Sequence, residues 1–133
     1  MKIRVICYSK KKKMENFCEI IANAQDCKWD KLPLAYPCDK ERLTVFVVSA
    51  PHPDLLRMCG TMTKDRTANV AFLVDGKESS VRPYIEAVKE AGANVFDNIM
   101  YVKTGILPFI GGVSAEEAAA VEQWIAELVE KSK

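Results

Sequence analysis

The sequence predicts an α/β fold in three layers: a doubly wound, open parallel sheet of five strands in the order 2-1-3-4-5, with helices on both faces. Three observations carry this. Apolar, β-branched runs alternate along the chain with amphipathic helical patterns, as in strand–helix–strand units with right-handed crossovers. The apolar runs are mostly continuous, as expected for strands covered on both faces. The length, 133 residues, suits one domain spanning 1–133 with a substantial core, and no repeat or interior linker interrupts it.

The first strand is "IRVICY", 3–8. Met14, Phe17, Cys18, Ile21 and Ala24 then fall on one face at helical spacing. A weak strand signal lies in "DCKWDKL", 26–32. The next connection, "KLPLAYPCDKER" at 31–42, holds two prolines and is short for a crossover helix. A turn or a stub of helix is expected there, giving a shortened second crossover and a thinly covered part of one sheet face. "LTVFVVSA", 43–50, is a strong third strand. A short helix follows Pro53, with Leu55, Leu56, Met58 and Cys59 expected inward. "NVAFLVDG", 69–76, is the fourth strand. The helix expected at 80–91 has serines at its start, Pro83 in its first turn and Gly92 just past its end, each where a helix end accepts it. "IMYVKTG", 99–105, is the fifth strand. Ser114 and Glu117 make a capping box at the start of the last helix. Val121, Trp124, Ile125, Leu128 and Val129 form its core stripe, and Lys131 and Lys133 suit its C-terminal dipole.

Composition excludes some classes of function. Hydrophobic residues make up 49% and charged residues 28%, with a net charge of +1. This is ordinary for a soluble globular protein, and no global field favours nucleic acid or a membrane surface. No apolar run is long enough to span a bilayer. The N-terminal "MKIRVICYS" has charge within its apolar run and no small-residue cleavage site, unlike a secretory signal. The five cysteines form no C-x-x-C pair, and His52 is the one histidine, so a zinc site of the usual spacing is not expected. Free thiols in a reducing, cytoplasmic setting are the expectation.

Topology indicates where a ligand would sit. In an open parallel sheet the crevice lies beyond the carboxyl ends of the strands, where strand order reverses. With order 2-1-3-4-5, that point is between the first and third strands. Three loops converge on it: Ser9–Lys13, Ser49–Asp54 ("SAPHPD") and Asp75–Ser80 ("DGKESS"). The first precedes a helix N-terminus, which favours an anion. Lys10, Lys11, Lys12 and Lys13 add positive charge there. A solvated lysine loop with no ligand is the alternative.

The stretch "VICYSKKKKMENF", 5–17, resembles the opening of flavodoxin-like proteins, in which a Ser/Thr-x-Thr-Gly-x-Thr turn wraps the FMN phosphate. Ser9 stands at the first hydroxyl. Lys11, Lys12 and Met14 stand at the second hydroxyl, the glycine and the last hydroxyl. The tail "GANVFDNIMYVKTGILPFIGGVSAEEAAAVEQWIAELVEK", 92–131, is similar too, its last strand leading through a Pro-containing loop into a Ser-x-Glu-Glu helix start. The resemblance implies FMN and electron transfer. It places the cofactor against Ser9, Lys10, Lys11, Lys12, Lys13 and Met14, against Ala50, Pro51 and His52, and against Asp75, Gly76 and Lys77. Such sites often set an aromatic ring against the flavin. The second loop offers only His52 and the third offers none, while Trp29, Tyr36 and Tyr84 are unplaced by sequence. An exposed lysine run also suits an acidic redox partner.

Other families with a similar layout need residues that this sequence lacks. A receiver domain needs acidic residues after the first strand and an aspartate after the third; Ser9 and "SAP" stand there, despite Lys103 after the last strand. A dinucleotide fold needs G-x-G-x-x-G, which is absent. A thiol phosphatase or phosphocarrier would use Cys7 as nucleophile, but Lys13 and Met14 replace the arginine and hydroxyl that close such a loop. A flavodoxin-like domain without FMN, acting as a partner-binding module, is the remaining alternative.

Overall fold

The computed structural model describes residues 2–31, 38, 40–49, 53–105 and 111–133. The elements, in chain order, are β1 (Ile3–Tyr8), α1 (Lys12–Ala24), β2 (Trp29–Lys31), β3 (Glu41–Ser49), α2 (Pro53–Cys59), β4 (Thr67–Asp75), α3 (Glu78–Ala91), β5 (Asn94–Val95), β6 (Met100–Val102) and α4 (Ala115–Lys131). Every strand pair is parallel, in the order β2-β1-β3-β4-β5, with β6 also beside β4. The expected strand order and α/β class therefore hold.

Among the described residues the sheet has six strands where five were expected, because the last edge strand is in two pieces. Asn94 and Val95 pair with the start of β4, and Met100–Val102 pair with its end. Between them the chain leaves the edge. The Asn98 carbonyl turns toward α4 and accepts a hydrogen bond from Trp124 Nε1 at 2.6 Å, so this backbone group is satisfied by a helix instead of the ladder.

Helices α1 and α4 cover one face, packing Met14, Phe17, Cys18, Ile21, Trp124, Ile125 and Leu128 on Val5, Cys7, Val45, Val47 and Leu73. Helices α2 and α3 cover the other, over Ile6, Tyr8, Phe46, Val48, Phe72 and Val74. Alternate residues of β1, β3 and β4 thus point to opposite layers, and nearly all are fully buried. This is why those strands read as continuous apolar runs.

Three details differ from the sequence expectation. Leu56 is 45% exposed. Leu55 and Cys59, four apart, take the inner face of the short α2, and Leu56 points away from it. Helix α3 starts at Glu78, because the Ser80 N–H and hydroxyl both donate to the Lys77 carbonyl and close a first turn earlier. Pro83 then lies in the second turn. On α1, Ala22 and not Ala24 completes the buried stripe, Ala24 being the exposed last residue. The expected turn or stub between β2 and β3 falls on 32–37 and 39, outside the described residues. The capping box of α4 forms as expected, Ser114 Oγ accepting from the Glu117 N–H and Glu117 Oε1 from the Ser114 N–H, each at 3.1 Å.

Candidate functional site

Strand register builds the site. Tyr8 pairs with Val48, Val48 with Val74, and Ser49 with Asp75. The parallel ladder therefore brings Ser9, Ser49 and Asp75 level across the carboxyl ends of β1, β3 and β4. Thr104, just past β6, joins them. Their side chains form one hydrogen-bonded row. The Ser9 and Ser49 hydroxyls are 2.8 Å apart, Ser49 Oγ donates to Asp75 Oδ2 at 3.3 Å, and Thr104 Oγ1 donates to the same oxygen at 2.6 Å.

Lys11 closes this row from above. Its Nζ donates to Asp75 Oδ2 at 2.7 Å, Thr104 Oγ1 at 2.8 Å and the Gly105 carbonyl at 3.4 Å. Gly105 has a left-handed φ of 65°, which glycine adopts at no steric cost. The Lys11 side chain thus runs from the end of β1 over β3 to the end of β4. Partial burial alone would raise the Asp75 pKa. The hydrogen bonds from Lys11 and Thr104 outweigh it and hold the carboxyl below the usual range. Asp75 is ionised at neutral pH and faces the crevice.

The four lysines have separate roles. Lys10 and Lys12 are exposed. Lys11 lies over the strand ends. Lys13 bridges to Glu117 Oε2 at 2.8 Å and donates to the Lys103 carbonyl at 3.0 Å. Lys11 is the N-cap of α1, in extended conformation, and no side chain caps the helix. The Lys11 N–H instead turns back to Ser9 Oγ at 3.1 Å. Met14 is fully buried among the core residues under α1. Gly76 and Lys77 are exposed beside Asp75. Ala50, Pro51 and His52 lie outside the described residues. Ser49 opens the second converging loop but is not among the expected cofactor contacts, and Thr104 is not foreseen as a site residue at all; the signal available is a hydroxyl directly at or after a strand end.

Cys7 lies inside β1, 1% exposed, its Sγ 3.6 Å from the Ser9 carbonyl. The hydrogen bond with Cys18 lowers the Cys7 thiol, while burial pushes the Cys18 thiol well up; accessibility, not acidity, decides the role of Cys7. A buried strand thiol has no path to a substrate, so the arrangement does not suit a cysteine nucleophile. Among the described residues, no group of three or more His, Cys, Asp or Glu could hold a metal ion, and no helix is long and apolar enough to cross a membrane. A groove of about 440 Å³ lies between α3 and the broken edge strand, its lining mixing Arg82 and Lys89 with Glu78, Glu86 and Asp97 beside apolar residues and Tyr101.

No protein-family model matches the chain, and no curated protein sequence matches it. Solved structures do. A short-chain flavodoxin associated with a non-canonical PDU bacterial microcompartment superposes with a TM-score of 0.67 at 15% identity, covering 100% of both chains. A flavodoxin from the domain Archaea superposes with a TM-score of 0.70 at 11% identity, covering 99% of each. The chain has a flavodoxin-like fold. The likeness extends over the whole chain, and at these identities it concerns the fold alone.

Whether this flavodoxin-like chain suits FMN is tested by its own residues. The phosphate end fits a dianion in charge: an N-terminus of α1 without a side-chain cap, flanked by exposed Lys10 and Lys12. The Lys11–Asp75 pair lies across the crevice beside it. Tyr101, 42% exposed, lies on β6 level with Val74, one residue short of Asp75. Trp29 sits on β2 level with Val5, its Nε1 bonded to Glu19 at 2.6 Å. Tyr84 is buried in α3, and Tyr36 is outside the described residues.

Proposed function

We propose that this protein is a flavodoxin-like electron carrier that holds FMN by its phosphate at the lysine turn. The observation that carries the reading is the uncapped start of α1 between Lys10 and Lys12, at the point where strand order reverses. First-turn backbone N–H groups can donate to an anion's oxygens, and two exposed ammonium groups supply charge. Ser9 positions the turn through the Lys11 N–H, and Gly76 and Lys77 form the opposite rim. FMN, when bound, supplies one- and two-electron redox chemistry; the chain binds and orients it and tunes its surroundings. Lys10 and Lys12 also suit an acidic redox partner, whose association rate would then fall as salt rises. A cytoplasmic setting accords with five free thiols.

A second reading has its own support. The Lys11–Asp75 ion pair satisfies the crevice from within, as in a domain that has lost FMN and serves as a partner-binding module. One experiment separates the two. The purified protein is examined for flavin absorbance and titrated with FMN, following flavin fluorescence and melting temperature. Quenching together with a raised melting temperature supports the carrier. A colourless protein with neither response sinks it and leaves the module.

A further inference from the structure

We propose that Lys11 and Asp75 form a latch across the crevice between β1 and β3, and that Asp75 sets how tightly a phosphate-bearing ligand is admitted. The ligand in this proposal rests on the FMN reading above.

The argument begins with the donors. An ammonium group has three N–H bonds. Those of Lys11 have three oxygens within reach, on Asp75, Thr104 and Gly105. No donor is left over. A phosphate at the start of α1 can recruit Lys11 only if the ammonium gives up one of these oxygens, and Asp75, at 2.7 Å, is the charged one that competes for it. The Asp75 carboxylate also acts directly. It is ionised, its side chain is 15% exposed, and it faces the space beside the turn. Like charges at short range in a partly desolvated crevice repel. Asp75 therefore opposes a phosphate twice, as a competitor for one cation and as a neighbouring anion.

The latch also has a resting place. Once released, Asp75 keeps the Thr104 and Ser49 hydroxyls as partners. Lysine, with a flexible stem and a point charge, can swing between two acceptors without moving the backbone. The lysine turn is thus built to hold an anion and is occupied, without one, by its own carboxylate.

The test is a fluorescence titration of the full chain with FMN and with riboflavin, which lacks the phosphate. Asp75→Asn keeps the size of the side chain and an oxygen for Thr104 while removing the charge. Asp75→Ala removes the oxygens altogether, in case asparagine still holds Lys11. Circular dichroism checks that each variant is folded. We expect both variants to bind FMN at least about tenfold more tightly than the unaltered protein, as for loss of a partly buried charge contact. Riboflavin affinity should change by less than about twofold, since it carries no charge to repel. If all three proteins bind FMN and neither variant binds it more tightly, the latch is wrong and the carrier reading stands. A gain shared equally by riboflavin also overturns the latch, because the phosphate is then not what Asp75 opposes. If none of the three binds FMN, latch and carrier fall together.

Discussion

Lys13 Nζ and Glu117 Oε2 lie 2.8 Å apart, joining the first turn of α1 to the first turn of α4. The same glutamate closes the capping box with Ser114. One side chain therefore caps its own helix and anchors the lysine turn to it. Glu117→Gln retains the capping geometry and removes the ion pair. The pair is half-buried, and for a single surface ion pair the expected loss is about 0.2–1 kcal/mol, or roughly 1–4 °C in melting temperature. Ser114→Ala removes the cap itself and should cost about 1 kcal/mol. Thermal melts of the two variants check the order; a larger loss for Glu117→Gln would show that the bridge matters more than the cap.

Among the described residues, the carboxyl pKa values of Glu117 and Asp75 are held below their ordinary range. That of Glu117 is lowered chiefly by the Lys13 hydrogen bond. That of Asp75 is lowered by Lys11 and Thr104 against the opposing effect of burial. A carboxyl with a lowered folded pKa contributes stability that is fully present above its unfolded value, about 3.9 for Asp. The contribution is lost as pH falls through the lower, folded value. Melting temperature should therefore drop between about pH 5 and pH 3. In Asp75→Asn this drop should be smaller. Equal slopes for the two proteins would mean that Asp75 contributes nothing to the acid limb.

Phe46 sits at the centre of one layer, its ring centroid 5.8 Å from Tyr8 and 5.5 Å from Phe72. All three side chains are almost completely buried. Phe46→Ala opens a cavity that close-packed β strands cannot collapse around, with an expected cost of about 3–5 kcal/mol. Urea unfolding measures it. A cost under about 1 kcal/mol would mean that this layer is loosely packed.

The five thiols differ in access. Cys7, Cys18, Cys38 and Cys59 are buried, and Cys27 is half-buried after α1. Burial pushes the Cys59 thiol up to about 12, which further suppresses its thiolate. In the native state Cys27 should react first with a disulfide reagent, and the other four only on unfolding. Mass spectrometry after brief labelling locates the modified residue. Fast labelling of Cys7 would overturn its placement in the core.

The fold was largely legible because the strands that matter most are the least ambiguous. β1, β3 and β4 are buried on both faces, and "IRVICY" and "LTVFVVSA" have no helical alternative at that length. The broken edge strand was not legible, since its interruption depends on Trp124 reaching Asn98 from a helix 26 residues away. Topology located the candidate site, but not its wiring. The lysine run showed charge at the switch point, while the pairing of Lys11 with Asp75 spans 64 residues and depends on side-chain direction. Met14 is the instructive case. Its helical spacing with Phe17, Cys18 and Ile21 already placed it on the buried face, whereas the resemblance placed it at a hydroxyl position of the turn.

The two margins of the sheet have a consequence for how this protein meets other copies of itself. Its nine-residue strands, β3 and β4, are interior. At the margins stand β2, with three residues, and the pieces β5 and β6, with two and three. A growing β aggregate needs a long, flat rail of unpaired N–H and C=O groups to copy. Among the described residues one rail is three residues long and the other is in two short pieces, while the long apolar strands β3 and β4 lie between them with both edges already paired.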